Sequence, residues 1–109
     1  MPNTYTNAKK YLTTTSVTTL YTAPALTTSI VKSILVSEDS GNADTITVTI
    51  TDTAASPATF SVFKTKSISA NGTTELLTAP FVMKTGEILK VTAATANRLH
   101  VIASILEVS

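Results

Sequence analysis

His100 is the only histidine of the chain, and it sits between Leu99 and Val101 in an apolar run. To act as a general base it needs an orienting carboxylate and a nucleophile within reach. To hold a metal ion it needs further ligands. No motif supplies either. There is no cysteine, so thiolate nucleophiles and thiolate metal sites are excluded. The seven acids are Glu38, Asp39, Asp44, Asp52, Glu75, Glu87 and Glu107. Glycoside hydrolysis needs two carboxyl groups facing each other across a groove. Asp44 and Asp52 instead flank one expected strand, about 27 Å apart at roughly 3.4 Å per residue. Glu38, Asp39 and Asp44 gather around a turn with Gly41 and Asn42. Carboxylates and carbonyls suit calcium, but the spacing is not that of an EF-hand, and a plain acidic turn is the expectation. With three glycines the chain has no phosphate-cradling loop and no Gly-x-Ser-x-Gly elbow. Asn71-Gly72-Thr73 matches a glycosylation sequon, yet Asn-Gly is also a tight-turn signal. The expectation is a protein with no catalytic residue, no metal and no cofactor, and not an enzyme.

Composition points the same way. The 109 residues suffice for one domain with a real core, and 43% are hydrophobic. Eight Lys and Arg stand against seven Asp and Glu, and the basic residues are scattered. Nucleic acid demands a clustered basic face, so no such partner is expected. No run approaches the ~18 apolar residues of a membrane helix. Met1–Lys10 lacks an apolar stretch, so no classical secretory signal and no membrane partner are expected. Twenty-three Thr and eleven Ser make a surface of hydroxyls rather than charges. Threonine is β-branched and fits a pleated, half-solvated sheet.

The elements that must carry this surface are strands. Ile46, Val48 and Ile50 alternate strictly with Thr45, Thr47, Thr49 and Thr51, so 44–52 shows one face to a core and the other to solvent or a partner. Residues 29–37 and 98–108 are apolar on both alternations, which predicts burial on both faces for part of their length. Strands are also expected over 16–22, 58–64 and 87–93, with shorter pieces at 66–70, 73–78 and 81–83. Turns fall at Glu38–Asn42, Asn71-Gly72 and Lys84–Glu87, and a break at 54–57. Seven or eight short strands with turn chemistry between them predict an all-β fold, a single β-sandwich or jelly-roll-like domain over 12–109. Residues 1–11 show no sustained period and read as an extended N-terminal arm. Its large apolar groups, Tyr5 and Tyr11, are the expected partner contacts, docking on a neighbour or on the arm's own domain. The Thr-x-Thr run at 45–51 matches an ice-like or carbohydrate-facing surface only if neighbouring strands repeat it. An echo of Thr22-Ala23-Pro24 in Thr78-Ala79-Pro80 reads as a repeat of sandwich halves or as coincidence in a Thr-rich chain.

One further feature is an order of phrases: Val31-Lys32-Ser33-Ile34-Leu35-Val36, Thr45-Ile46-Thr47-Val48-Thr49-Ile50, Ala70-Asn71-Gly72-Thr73-Thr74-Glu75-Leu76-Leu77, Lys84-Thr85-Gly86-Glu87-Ile88-Leu89-Lys90-Val91 and Val101-Ile102-Ala103-Ser104-Ile105-Leu106-Glu107. This order, over about residues 17–108, resembles small β-sandwich virion structural proteins of tailed bacteriophages. The resemblance implies a capsid decoration (cement) protein on the capsid surface of the virion. Its partners would be the major capsid protein or other virion subunits, and it would form a homo-oligomer, a trimer by preference. The same group includes neck, tail and baseplate accessory subunits, which remain an alternative. A carbohydrate-binding adhesion module is the alternative from a different class.

Overall fold

The computed structural model describes residues 3–53 and 58–108; the break expected at 54–57 lies outside them. Among the described residues are nine strands and no helix. They are β1 (Asn3–Tyr11), β2 (Thr18–Thr22), β3 (Thr28–Glu38), β4 (Asp44–Asp52), β5 (Ala58–Ile68), β6 (Thr73–Glu75), β7 (Phe81–Met83), β8 (Ile88–Ala93) and β9 (Leu99–Val108). The count exceeds seven or eight because Asn3–Tyr11, read as an arm, is itself a strand on the domain's edge, and because β6 and β7 are two short pieces.

Pairing is nested. β1 pairs with β9, β2 with β8, β3 with both β6 and β7, and β4 with β5, all antiparallel. The chain is thus one long hairpin rolled up. Two further antiparallel pairings, β3 with β9 and β4 with β8, close it into sheets. The first sheet runs β1-β9-β3, with β6 and β7 sharing the far edge of β3; the second runs β2-β8-β4-β5. This is the strand path of a jelly roll, an all-β sandwich.

Alternation decides which side chains meet between the sheets. From the first sheet come Val31, Ile34, Val36, Leu99, Val101, Ala103 and Ile105; from the second, Ile46, Val48, Leu89 and Val91. All are essentially without solvent exposure. Each contributes on the order of 1.5–3 kcal/mol by burial, less for the alanine. Leu12, just past β1, turns into the same core.

The path between sheets depends on local backbone chemistry. Asn71-Gly72 does not close a hairpin within a sheet; it carries the chain from β5 to β6 across the sandwich. Asn71 takes φ 55°, and the Gly72 N–H donates to Ser69 O at 2.9 Å. A Cβ on Gly72 would lie 3.1 Å from that same oxygen, so a side chain there displaces the turn.

A polar clasp ties the sheets together at the opposite end. The Tyr21 hydroxyl of β2 donates to Glu107 Oε2 of β9 at 2.5 Å and accepts from Ser29 Oγ of β3 at 2.7 Å. Burial and the bond to Glu107 push the tyrosine up to about 12 from 10.0. The unfolded chain loses this proton near pH 10 and the folded one near 12. The contribution is therefore whole below about 10 and lost as pH rises through about 12. Tyr21→Phe should cost roughly 1–2 kcal/mol at neutral pH. In urea titrations that deficit should shrink above pH 10; a deficit constant to pH 12 would remove the clasp from the account.

Candidate interaction surface

The outer alternation of the first sheet forms a face that none of the described residues covers. Register fixes its rows. One runs Tyr5, Leu106, Ile30, Val82 and another Lys9, Ile102, Leu35, Glu75. Between them lie Asn7, Ser104 and Ser33, and at one end Tyr11, His100, Ser37 and Thr73. Tyr5 is 77% exposed, Val82 56%, Tyr11 49%, Ile102 40% and Leu35 37%. Single exposed apolar residues are ordinary, but aligned rows of them mark an interaction surface.

This face corrects the reading of β3 and β9. Their two-sided apolarity predicted burial on both faces. They are indeed central in their sheet, yet only the inner alternation is buried; Leu35 and Ile102 stand in solvent and Ile30 and Leu106 are half-buried. Among the described residues the sandwich has two layers and no third to cover the outer set.

The two tyrosines differ. The Tyr11 ring lies 4.5 Å from the His100 ring, tilted 38°, and its hydroxyl donates to Asn97 O at 3.4 Å. It docks on its own domain. Tyr5 has no such restraint and stands above Leu106 with most of its ring free. His100 Nε2 lies 3.8 Å from Asp39 Oδ2, both exposed, a contact at the surface.

The acids at the turn after β3 build backbone. Glu38 Oε1 accepts from the N–H groups of Gly41, Asn42 and Asn71 at 3.0, 3.1 and 2.9 Å. Its Oε2 accepts from the Ser40 N–H at 2.7 Å and from the Ser40 hydroxyl. Burial opposes ionisation there, but these donors outweigh it and hold the carboxyl at about 2. Asp44 accepts from the Thr45 and Thr95 N–H groups at 2.8 and 3.1 Å. Glu75 reaches into the bulge of β3 between Val31 and Ser33 and accepts from the Ile34 and Leu77 N–H groups at 2.9 and 3.1 Å and from Ser33 Oγ. Burial works against its charge, and those donors lower it overall. Among the described residues no three of His, Asp and Glu are grouped to share a metal ion.

The second sheet has a different outer face. Thr19, Lys90, Thr49 and Ser61 share one row and Thr22, Ile88, Thr51 and Thr59 the next. Thr92 lies beside Thr47 and Ser67 beside Thr45. β5 thus extends the Thr-x-Thr run sideways with Thr59, Ser61 and Ser67, whereas β8 sets Ile88 and Lys90 into it beside Thr92, and Thr51 is buried and hydrogen-bonded to Thr59.

The sequence singles out Tyr5 and Tyr11 of this face but not Ile102, Leu35 and Val82. The available signal was the second apolar alternation of β3 and β9. No protein-family model and no curated protein matches this chain.

Proposed function

We propose that this chain is a structural subunit of a tailed-phage virion that binds the outer capsid lattice and ties neighbouring subunits together. The uncovered apolar face of the first sheet carries the reading. A stable interface needs roughly 800 Å² per partner with an apolar, charge-poor centre and aromatic anchors. Ile102, Leu35 and Leu106 supply the apolar groups, set around Ser104 and Ser33, with Lys9 and Glu75 in the Ile102 row and Tyr5 at the margin. The rigid jelly roll, the sparse charge and the likeness of strand phrases to capsid decoration proteins support the same reading.

The test is re-addition of purified protein to phage particles stripped of it. Ile102→Lys places a charge in the middle of the face and should weaken attachment at least ~10-fold, as burial of an unpaired charge does. Its thermal midpoint should stay within a few degrees of the parent's. Parent-like attachment of this variant would overturn the role of the face. Cryo-EM density repeating over the shell supports the capsid position, whereas density confined to neck, tail or baseplate assigns the accessory role instead.

One observation favours a second reading. The hydroxyls of the adjacent strands β4 and β5 on the second sheet offer donors and acceptors at strand spacing, ~4.8 Å across and ~6.7 Å along, which suits a carbohydrate-binding adhesion module. Glycan-array binding abolished by Thr49→Val would support it; absence of binding to any glycan counts against it.

A further inference from the structure

The two sheets of this sandwich have four edges, and three are blunted. β6 and β7 are three residues each. β2 has five residues and a register shift between Thr19 and Tyr21. β5 shifts register against β4 twice and holds Thr65 at φ 50°. Shortness, bulges and edge lysines are devices by which sheet proteins prevent edge-to-edge pairing. β1 is neither short nor bulged, and its lysines, Lys9 and Lys10, are what any pairing must accommodate. Its nine residues pair with β9 without one register shift, and its other side carries a row of backbone donors and acceptors.

The edge geometry points to a second copy of this chain as the partner of β1, paired antiparallel about a two-fold axis at Asn7. The charges select this arrangement. With the axis at Asn7 all nine residues of Asn3–Tyr11 are used. Lys9 then faces Tyr5 of the second copy, Lys10 faces Thr4, and Tyr11 faces Asn3. No lysine faces a lysine, and each exposed Tyr5 ring receives an ammonium group, a cation–π contact made twice by symmetry. An in-register parallel pairing sets Lys9 and Lys10 against their own copies, and an antiparallel axis at Lys9 does so for Lys9; like charges directly opposite are destabilising. A strand that pairs with itself makes a two-fold contact, so this edge does not build a three-fold ring. The inference concerns the free protein and stands apart from where the subunit binds.

The chain has no cysteine, so single cysteines report directly on the axis. In the two-fold pairing Asn7 lies opposite itself with Cα atoms ~4.5–5.5 Å apart, within disulfide range. Asn7→Cys should cross-link to completion under mild oxidation, while Lys9→Cys, whose copies stand ~14 Å apart, should not. The unmodified chain should weigh twice 11.4 kDa by light scattering. Tyr5→Lys, which sets lysine against Lys9, should reduce the mass to one chain, and Tyr5→Glu should keep two. A single-chain mass for the unmodified protein at its highest soluble concentration overturns the inference. So does a dimer indifferent to Tyr5→Lys, or cross-linking at position 9 but not at 7.

Discussion

Replacing Glu38 with Gln lowers the thermal midpoint at neutral pH, and the gap to the parent chain closes as the pH falls from about 4.5 to about 2. The carboxylate accepts four backbone N–H groups and one hydroxyl from two separate turns, so it holds the 38–42 turn against the Asn71 turn. An amide keeps one acceptor oxygen and turns its NH2 toward donors, so several of these N–H groups lose their acceptor at once, which costs more than one ordinary hydrogen bond is worth. For a domain of this size the midpoint should fall on the order of 10 °C. The sign follows from proton uptake. The unfolded carboxyl binds a proton near 4.5 and the folded one only near 2, so between those values the unfolded state holds more protons. The contribution of the ionised group is whole above about 4.5 and lost as the pH falls through about 2. Glu75 titrates downward as well, and therefore the diagnostic is the difference between the two proteins across this window. A difference that persists undiminished at pH 2 would mean the charge of Glu38 is not what orders the turns.

The second large effect separates two adjacent residues. Ile34 is fully buried between the sheets, and Leu35 points the other way. Ile34→Ala should cost about 2–5 kcal/mol, the lost transfer energy plus the cavity left in a core that relaxes only partly. Leu35→Ala should cost under about 1 kcal/mol, because that side chain already meets water. Urea unfolding should show the midpoint shifted at constant slope for the first and nearly unmoved for the second. Attachment to stripped particles should invert the order. Leu35→Ala should bind less tightly while folded, whereas Ile34→Ala should bind like the parent under conditions where it remains folded. Equal stability losses would mean that the outer face is covered.

How much of this was legible depends on the distance over which each signal acts. β4 was plain because Ile46, Val48 and Ile50 alternate with threonines over one short stretch, whereas β8, with Ile88 and Leu89 adjacent, carries a pattern that a helix could also show. The turn at Asn71-Gly72 was legible because Asn and Gly carry their own backbone preference. What it joins was not, since the sheet to which Thr73–Glu75 belongs is decided by pairing with Leu35–Ser37 far earlier in the chain. β1 looked aperiodic because its inner residues, Thr4, Thr6, Ala8 and Lys10, are small or polar, as an edge over the rim of a core allows. Glu38 read as one acid in an acidic turn; its burial depends on Asn71, thirty-three positions away. Tyr21 gave no hint of the clasp, whose other members lie on β3 and β9. The Thr-Ala-Pro echo falls on unlike places, the end of β2 in one sheet and the connection after β6 beside the other, with Ala23 buried and Ala79 exposed. Its halves share composition without sharing a role.

The position of β9 has a consequence for how the molecule is made. It is last in sequence among the nine strands, yet it lies in the middle of its sheet, between β1 and β3. A ribosome-bound chain that has emerged only as far as Asn97 therefore holds β1 with no neighbour and β3 with one bare flank. Val31 and Val36 then keep only their short partners, Phe81 on β7 and Thr74 on β6. Asn3 must wait for Val108, across nearly the whole chain, before their ladder can close. Pairings of such span pay a large loop-closure entropy and form slowly. Maturation is thus gated by the final ten-residue strand, and a premature stop before Leu99 removes the keystone of the sheet rather than trimming its rim.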